Sequence, residues 1–575
     1  MHNTRLLLLA AALGAAPALA AAQRAEPAGP TIVALPAARL PLKHTPTPTT
    51  AAITAADLMT RLYIFSDDSM QGREAGTIGN FKGTTYIANE LKKIGLVPAG
   101  DDGTYFQTIP LKSRTTEPAS SLTVNGVPLA FGSEWSAMAA ASVAKPDLAV
   151  AFGGTFGDST ATISPADAAG KLVVYKLPPN PMALRAARGG VNGPAVVVVI
   201  APAMYLQYFS RPAQFVDDPS AAAPASSATV VFVTAEAAAK FFDTPLDQLA
   251  PGAAGKTASL DLRISTEPVP YPARNVVGIL PGSDPKLKNE YVAVGAHNDH
   301  IGFTHDPVDH DSLRFFNHIV RPLGADSRGG RATPAQQAEV DHELAAWRKA
   351  HPGTARLDSI DNGADDDGSG TVTALEIAQK MASLHPRPKR SMLFVWHEGE
   401  EKGLLGSAYF TDHPTVPRDS IVAQLNMDMV GRGDAWDVTG TTKDGKFLHG
   451  GAHYLMLVGS RRLSTELGNL VEQVNTTDHH GFVFDYSMDA DGHPENVYCR
   501  SDHYEYARYG IPITFFTTGL HSDYHQVTDE PEYIDYQHMA RVGNLVEDVA
   551  LHVANLGHRI VVDHPKPDPH GACRQ

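Results

Sequence analysis

Apolar positions first recur with a helical period over residues 84–94, where Tyr86, Ile87, Leu91 and Ile94 share one stripe and Gly95 supplies a stop. From about 113 to 267 the rhythm changes. Short apolar runs at 148–152, 171–175, 195–200 and 229–233 are set in Ala-, Thr- and Gly-rich surroundings, which predicts a small strand-rich module. That stretch contains no His and few paired acids, so no catalysis is expected from it. After Pro268, runs of strand length at 275–280, 291–296, 391–397, 422–427 and 511–517 alternate with helical periods. The clearest helix is 371–384, with Val372, Leu375, Ala378, Met381 and Ala382 in its core stripe. This alternation predicts an α/β fold, a layered, largely parallel sheet flanked by helices, with a smaller strand-rich domain inserted. Residues 55–112 and 268–560 would form the discontinuous main domain around the 113–267 insertion. Within it, 303–356 reads as a polar, His-rich interruption holding one short helix near 334–349, and 561–575 as a flexible tail.

The N-terminus follows neither period. Arg5 precedes an apolar run from Leu6 to Leu13, and Ala18-Leu19-Ala20 offers small residues for cleavage, so residues 1–20 are expected to be a signal peptide. Residues 21–54, rich in Ala, Pro and Thr, read as an extended leader. No later stretch approaches the ~18 continuous apolar residues of a membrane span, so an exported protein, periplasmic or secreted and without stable membrane insertion, is expected. The formal charge of −16 argues against a nucleic-acid partner. Two cysteines, Cys499 and Cys573, exclude a Cys-rich metal site and leave a single disulfide open. The 25 histidines turn attention to metal or acid–base chemistry.

In an open α/β sheet, ligands bind beyond the carboxyl ends of the strands. His297 and Asp299 follow the 291–296 run, Glu400 and Glu401 follow 391–397, and Asp428 follows 422–427. Asp523, Tyr524 and His525 come after 511–517, and the acidic knot Asp365-Asp366-Asp367 lies in a Gly-rich turn before the 371–384 helix. Imidazole mixed with carboxylate suits zinc rather than Mg²⁺ or Ca²⁺. Five ligands exceed one tetrahedral zinc but suit two ions sharing a carboxylate, with Glu400 available beside a water as general base. His397-Glu398 begins like the HExxH zinc helix, but Glu401 stands at its fifth position. No G-x-S-x-G is present, which excludes a serine-hydrolase elbow.

These segments resemble metallopeptidase family 28, the co-catalytic zinc aminopeptidases. The resemblance rests on His297-Asn298-Asp299, the Gly363–Gly370 turn, Gly399-Glu400-Glu401-Lys402-Gly403, Asn426-Met427-Asp428 and Tyr524-His525, with Gly72-Arg73-Glu74-Ala75-Gly76 as an entry segment. It implies a zinc-exopeptidase-like fold acting on peptide substrates, and more weakly a protease-associated-like inserted domain. By position it implies two Zn²⁺, one on His297 and Asp428, the other on Glu401 and His525, with Asp365 bridging. Glu400 would be the general base, and Asp299 would hydrogen-bond the other nitrogen of His297. His300 and the 303–356 insertion depart from the family pattern and bear on substrate preference. A slightly negative cavity favours a cationic substrate amine, hence an aminopeptidase. A carboxypeptidase or dipeptidase, which would need a cation such as Arg432, Arg500 or Arg508 at the cleft, stays open. So do a one-zinc glutaminyl-cyclase-like transferase and a non-catalytic binding protein on the same fold.

Overall fold

The computed structural model describes residues 40–158, 162–177, 193–218, 229–327, 330–353 and 355–575. The expected signal peptide and the first part of the leader lie outside the described residues. Helix α1 (Ala55–Phe65) starts where the Thr54 side chain accepts from the Asp57 amide, and α2 (Ile78–Ile94) stops at Gly95, left-handed at φ +88. Strands β1 (Val97–Pro98) and β2 (Phe106–Ile109) then lie along one edge of β3 (Ala273–Leu280), on the far side of the insertion. β4 (Tyr291–His297) leads into the 303–356 segment, which carries α3 (His310–Val320) and α4 (Pro334–Ala350). Then come α5 (Gly370–Ser383), β5 (Ser391–His397), β6 (Ile421–Met427) and β7 (Tyr454–Val458). α6 (Thr465–Thr477), β8 (Val483–Asp485), β9 (Ile513–Thr517) and α7 (Tyr536–Asn555) complete the main body.

The main sheet runs β1-β3-β5-β4-β6-β9-β7-β8, with β2 also on β3. Its central strands β5, β4, β6 and β9 are parallel, whereas β3 is antiparallel to β5 and β7 is antiparallel to β9. The expected largely parallel sheet is therefore parallel at its centre and mixed at its flanks; hydrophobic periodicity specifies burial and carries no strand direction. Both faces are covered. Val292, Val294 and Ala296 of β4 pack with α1, α2, α5 and α7 on one side. Ala293, Leu393 and Val395 meet Phe410, Tyr498 and Tyr506 on the other.

The 113–267 stretch forms a five-stranded sheet and a separate four-stranded sheet, with buried clusters of its own. The chain enters and leaves it through Leu111–Thr116 and Ile264–Pro268, which pair antiparallel. The 303–356 segment departs from expectation. Besides α4, with its Thr333/Gln336 capping box, it holds α3, and its ends are drawn together by antiparallel pairing of Gly302–Asp309 with Leu357–Asp361. α3 escaped detection because its buried face includes Asp311, Arg314, Asn317 and His318, which read as loop polarity. The C-terminal stretch, expected to be flexible, is tied down instead. Cys573 is disulfide-bonded to Cys499, and Gln575 Oε1 accepts from the Tyr498 amide (2.9 Å). Among the described residues no helix is long and apolar enough to cross a membrane.

Candidate metal centre

β4 and β5 pair in register with His297 beside His397, and Gly295 of β4 lies opposite Asn426 of β6, so the carboxyl ends of these strands form one rim. His297 closes β4. Gly399, at φ +70, turns the chain out of β5 and lets the adjacent Glu400 and Glu401 serve one site. Asp428 follows β6, and His525 lies in the loop beyond β9. Fully buried Arg73 donates to the carbonyls of Phe65, Asn298, Asn362 and Gly363, lashing the entry segment to two loops of this rim. The acidic knot is pinned just as tightly. Asp529 accepts from the amides of Asp365 and Asp366, and Asp367 accepts from those of His297, Gly370 and Met429.

Asp366 lies at the centre. Its Oδ1 is 3.1 Å from His297 Nε2 and its Oδ2 is 3.0 Å from His525 Nε2. His297 Nε2 is also 3.6 Å from Asp428 Oδ1, and His525 Nε2 is 2.9 Å from Glu401 Oε2. Two groups of ligating atoms thus share one carboxylate. Tetrahedral zinc ligands at ~2.0–2.2 Å from the ion sit roughly 3.3 Å apart, and the separations here bracket that spacing. His297 Nε2 and His525 Nε2 are buried without a hydrogen-bond partner. Buried imidazole lone pairs aimed at convergent carboxylates are a donor set that fits zinc.

Further contacts hold these groups in place. His297 Nδ1 donates to the Asp299 carbonyl (3.0 Å), which leaves Nε2 as the lone-pair nitrogen. His300 Nδ1 donates to Glu401 Oε1 (2.8 Å), and Ser501 Oγ donates to Asp428 Oδ2 (2.7 Å). Burial works against a charged His297, but Asp428, Asp299 and Asp366 overcome it and raise its pKa well above the usual imidazole value. Burial likewise opposes an ionised Glu401, yet His525 and His300 draw it down to about 2. Glu400 goes the other way. Burial, aided by Asp428 and Glu401 against the pull of His297, pushes it well above the ordinary carboxylate range.

Of the residues expected from the sequence, His297, Glu401, Asp428 and His525 come together, with Glu400 in the same turn as Glu401. Asp365 does not join them. Its Oδ1 accepts from the Gly431 amide (2.7 Å) and its Oδ2 lies 3.2 Å from His521 Nε2, so the central place expected of Asp365 is held by Asp366. Non-helical dihedrals at Asp366 and Asp367 kink the turn and separate the three carboxylates; a run of three Asp carries no signal for which one faces the histidines. Asp299 also differs from expectation. Its carbonyl, not its carboxylate, bonds His297, while its Oδ1 sits 3.7 Å from Nδ1 and accepts from the Glu400 amide (3.1 Å). His300 was not expected to touch the ligating set; its place one residue beyond Asp299 was the available signal.

Residues 275–550 match the model of Peptidase family M28. A leucine aminopeptidase 1 of Coccidioides posadasii (strain C735) is 31% identical over 205 residues, 33% of this chain and 47% of that protein. Leupeptin-inactivating enzyme 1 of Streptomyces exfoliatus is 33% identical over 96 residues, 15% of this chain and 22% of the relative. The chain thus spans about half the length, or less, of these curated relatives. Among solved structures, an aminopeptidase from Aneurinibacillus sp. strain AM-1 shares the fold. It has a TM-score of 0.50 and 16% identity, over 90% of this chain and 97% of that one.

Proposed function

Because this chain belongs to peptidase family M28, we propose that it is a zinc-dependent aminopeptidase that hydrolyses the N-terminal bond of peptides. The carrying observation is the Asp366 carboxylate, with one oxygen beside His297 and the other beside His525. In this reading His297 and Asp428 hold one zinc, Glu401 and His525 a second, and Asp366 both. Bound there, two zinc ions would lower the pKa of a water and polarise the scissile carbonyl. Glu400, in the same turn as Glu401, would be placed to take the water's proton and return it to the leaving amine. The Asp299 carbonyl keeps His297 in its ligating tautomer, and His300 steadies Glu401.

Pairing of the nearby arginines supports an aminopeptidase over a carboxypeptidase. Arg432 is engaged by Asp523 (2.9 Å) and Asp437 (3.0 Å), Arg500 by Asp326 (2.6 Å), and Arg508 by Asp412 (2.6 Å) and Glu505 (2.5 Å). Each guanidinium already has a carboxylate, which leaves a substrate carboxylate poorly matched. The leucine aminopeptidase names of several relatives point the same way. The same proposal takes residues 1–20 as a cleaved signal peptide, the enzyme as exported, and 113–267 as a protease-associated-like domain.

A dipeptide series tests it. Acetylating the substrate amine should abolish cleavage and amidating the carboxylate should be tolerated, with about two zinc ions per chain held by the His297–His525 centre. The reverse substrate pattern would hand the function to a carboxypeptidase, and turnover undiminished after exhaustive chelation would overturn the metallopeptidase reading.

A further inference from the structure

A second gathering of histidine and carboxylate lies at the edge of the main sheet, where α6 gives way to β8. Asp478 caps the carboxyl end of α6, His479 follows in the left-handed region at φ +61, and Gly481 does so at φ +73. Those two turns fold His480 back towards α7. Asn475 locks the loop, since its side chain both accepts from the Phe482 amide and donates to the Phe482 carbonyl (2.9 Å each). His480 Nε2 then lies 3.0 Å from Asp548 Oδ2 on α7. Asp478 closes the group, and the ligating atoms of all three lie within 4.8 Å of one another. One turn along α7 from Asp548, His552 Nε2 donates to Asp478 Oδ2 (3.0 Å).

We propose that Asp478, His480 and Asp548 form a further divalent-cation site, for zinc or a metal of similar preference, with His552 orienting Asp478. The His480 side chain is only 10% exposed, and its Nε2, aimed at two carboxylates, meets Asp548 Oδ2 at 3.0 Å without the alignment of a hydrogen bond. A misaligned buried polar contact recovers little of the cost of leaving water, and a bound cation would satisfy both groups. One imidazole with two carboxylates and room for water suits a borderline divalent ion better than Ca²⁺, which takes oxygen ligands. Charge favours it too: Glu547, buried next to Asp548, adds a further carboxyl group beside the cluster.

A comparable trio, His310, Asp358 and Glu530, shows what a filled cluster looks like. There Arg356 Nη2 lies 3.0 Å from His310 Nε2 and 3.7 Å from Glu530 Oε1, with Nε 3.6 Å from Asp358 Oδ2, so a guanidinium already supplies the positive charge. No arginine pairs with the His480 group in this way among the described residues.

Zinc itself is the probe, applied to the full chain with its central site loaded. Equilibrium dialysis against Zn²⁺ should give the wild type about one more zinc per chain than the double variant His480→Asn, Asp548→Asn. Excess Zn²⁺ should raise the wild-type Tm by roughly 2–4 °C and leave the variant's unchanged. Peptide hydrolysis should be the same in both. The milder single variant His480→Gln should already lose the extra ion. Equal zinc content and equal Tm response in wild type and variants would overturn the proposal, whatever number of ions the central site retains.

Discussion

Asp365 and Asp366 are chemically identical neighbours whose backbone gives them different partners. Asp366 faces His297 and His525, whereas Asp365 is taken up by the Gly431 amide and His521. Asp366→Asn should therefore strip zinc and cost more than ~100-fold in kcat/KM, since even outer partners of metal ligands are worth ~10–100-fold. Asp365→Asn should keep its zinc and lower Tm. Metal analysis and thermal melts of the two variants separate these outcomes. Glu400→Gln should retain both zinc and fold while losing ~10²–10⁴-fold in kcat, the usual worth of a general base. Single-turnover kinetics at matched zinc content check it. Most of this site was legible as residue types at strand ends. Hidden from the sequence were the kink that chooses among three aspartates and the use of a backbone carbonyl, not a side chain, behind His297.

At the scale of elements, the insertion between β4 and α5 braces the loop that carries His525. Asn317 on α3 donates to Gln526 Oε1 (3.2 Å), and the Gln526 side chain donates to the His525 carbonyl (2.7 Å). Gly324 is the tightest contact. It sits at φ +55, and a Cβ there would lie 2.5 Å from the Tyr524 carbonyl oxygen. Gly324→Ala should cost about 1–3 kcal/mol of strain and lower kcat/KM through displacement of His525. Equal melts and kinetics for wild type and variant would refute the brace. Strands such as 391–397 were legible because both their faces are buried, which writes a continuous apolar run into the sequence. α3 was not: Leu313, Phe315, Phe316, Ile319 and Val320 keep a helical spacing, but the polar residues set among and around them made the stretch read as loop.

Across the whole molecule, two features govern stability. His503 is buried and stacked on Phe515 (ring centroids 4.7 Å apart), and burial lowers its pKa from 6.5 to about 3. The unfolded chain binds this proton first, so the contribution of neutral His503 is intact above about pH 6.5 and is lost as the pH falls towards about 3. His503→Phe should flatten the stability profile across that window in urea melts taken at several pH values. The disulfide closes a loop between residues 74 apart in sequence. Cys573→Ser should lower stability by up to about 4 kcal/mol on a chain-entropy estimate, most simply read as a drop in Tm under non-reducing conditions.

The paired strands through which the chain enters and leaves the 113–267 stretch have a consequence for how such a molecule is assembled. Thr116 lies directly opposite Ile264, and the Glu117 amide donates to the Arg263 carbonyl (2.9 Å). Neighbouring strands are only ~4.8 Å apart, so the many residues between these points begin and end at nearly the same spot. To the rest of the protein they amount to one long hairpin tip, tied back at Gln214, whose side chain donates to the Ala75 carbonyl (2.8 Å), and at Asp218, 2.6 Å from His413 Nε2. A gene that acquired or shed that segment would leave the register of the main sheet untouched, and two turn residues such as Asn-Gly would suffice to rejoin the strands. Apart from those few ties the described residues of the stretch are joined to the main body chiefly at its two ends, which makes those ends natural points for recombination with other catalytic bodies.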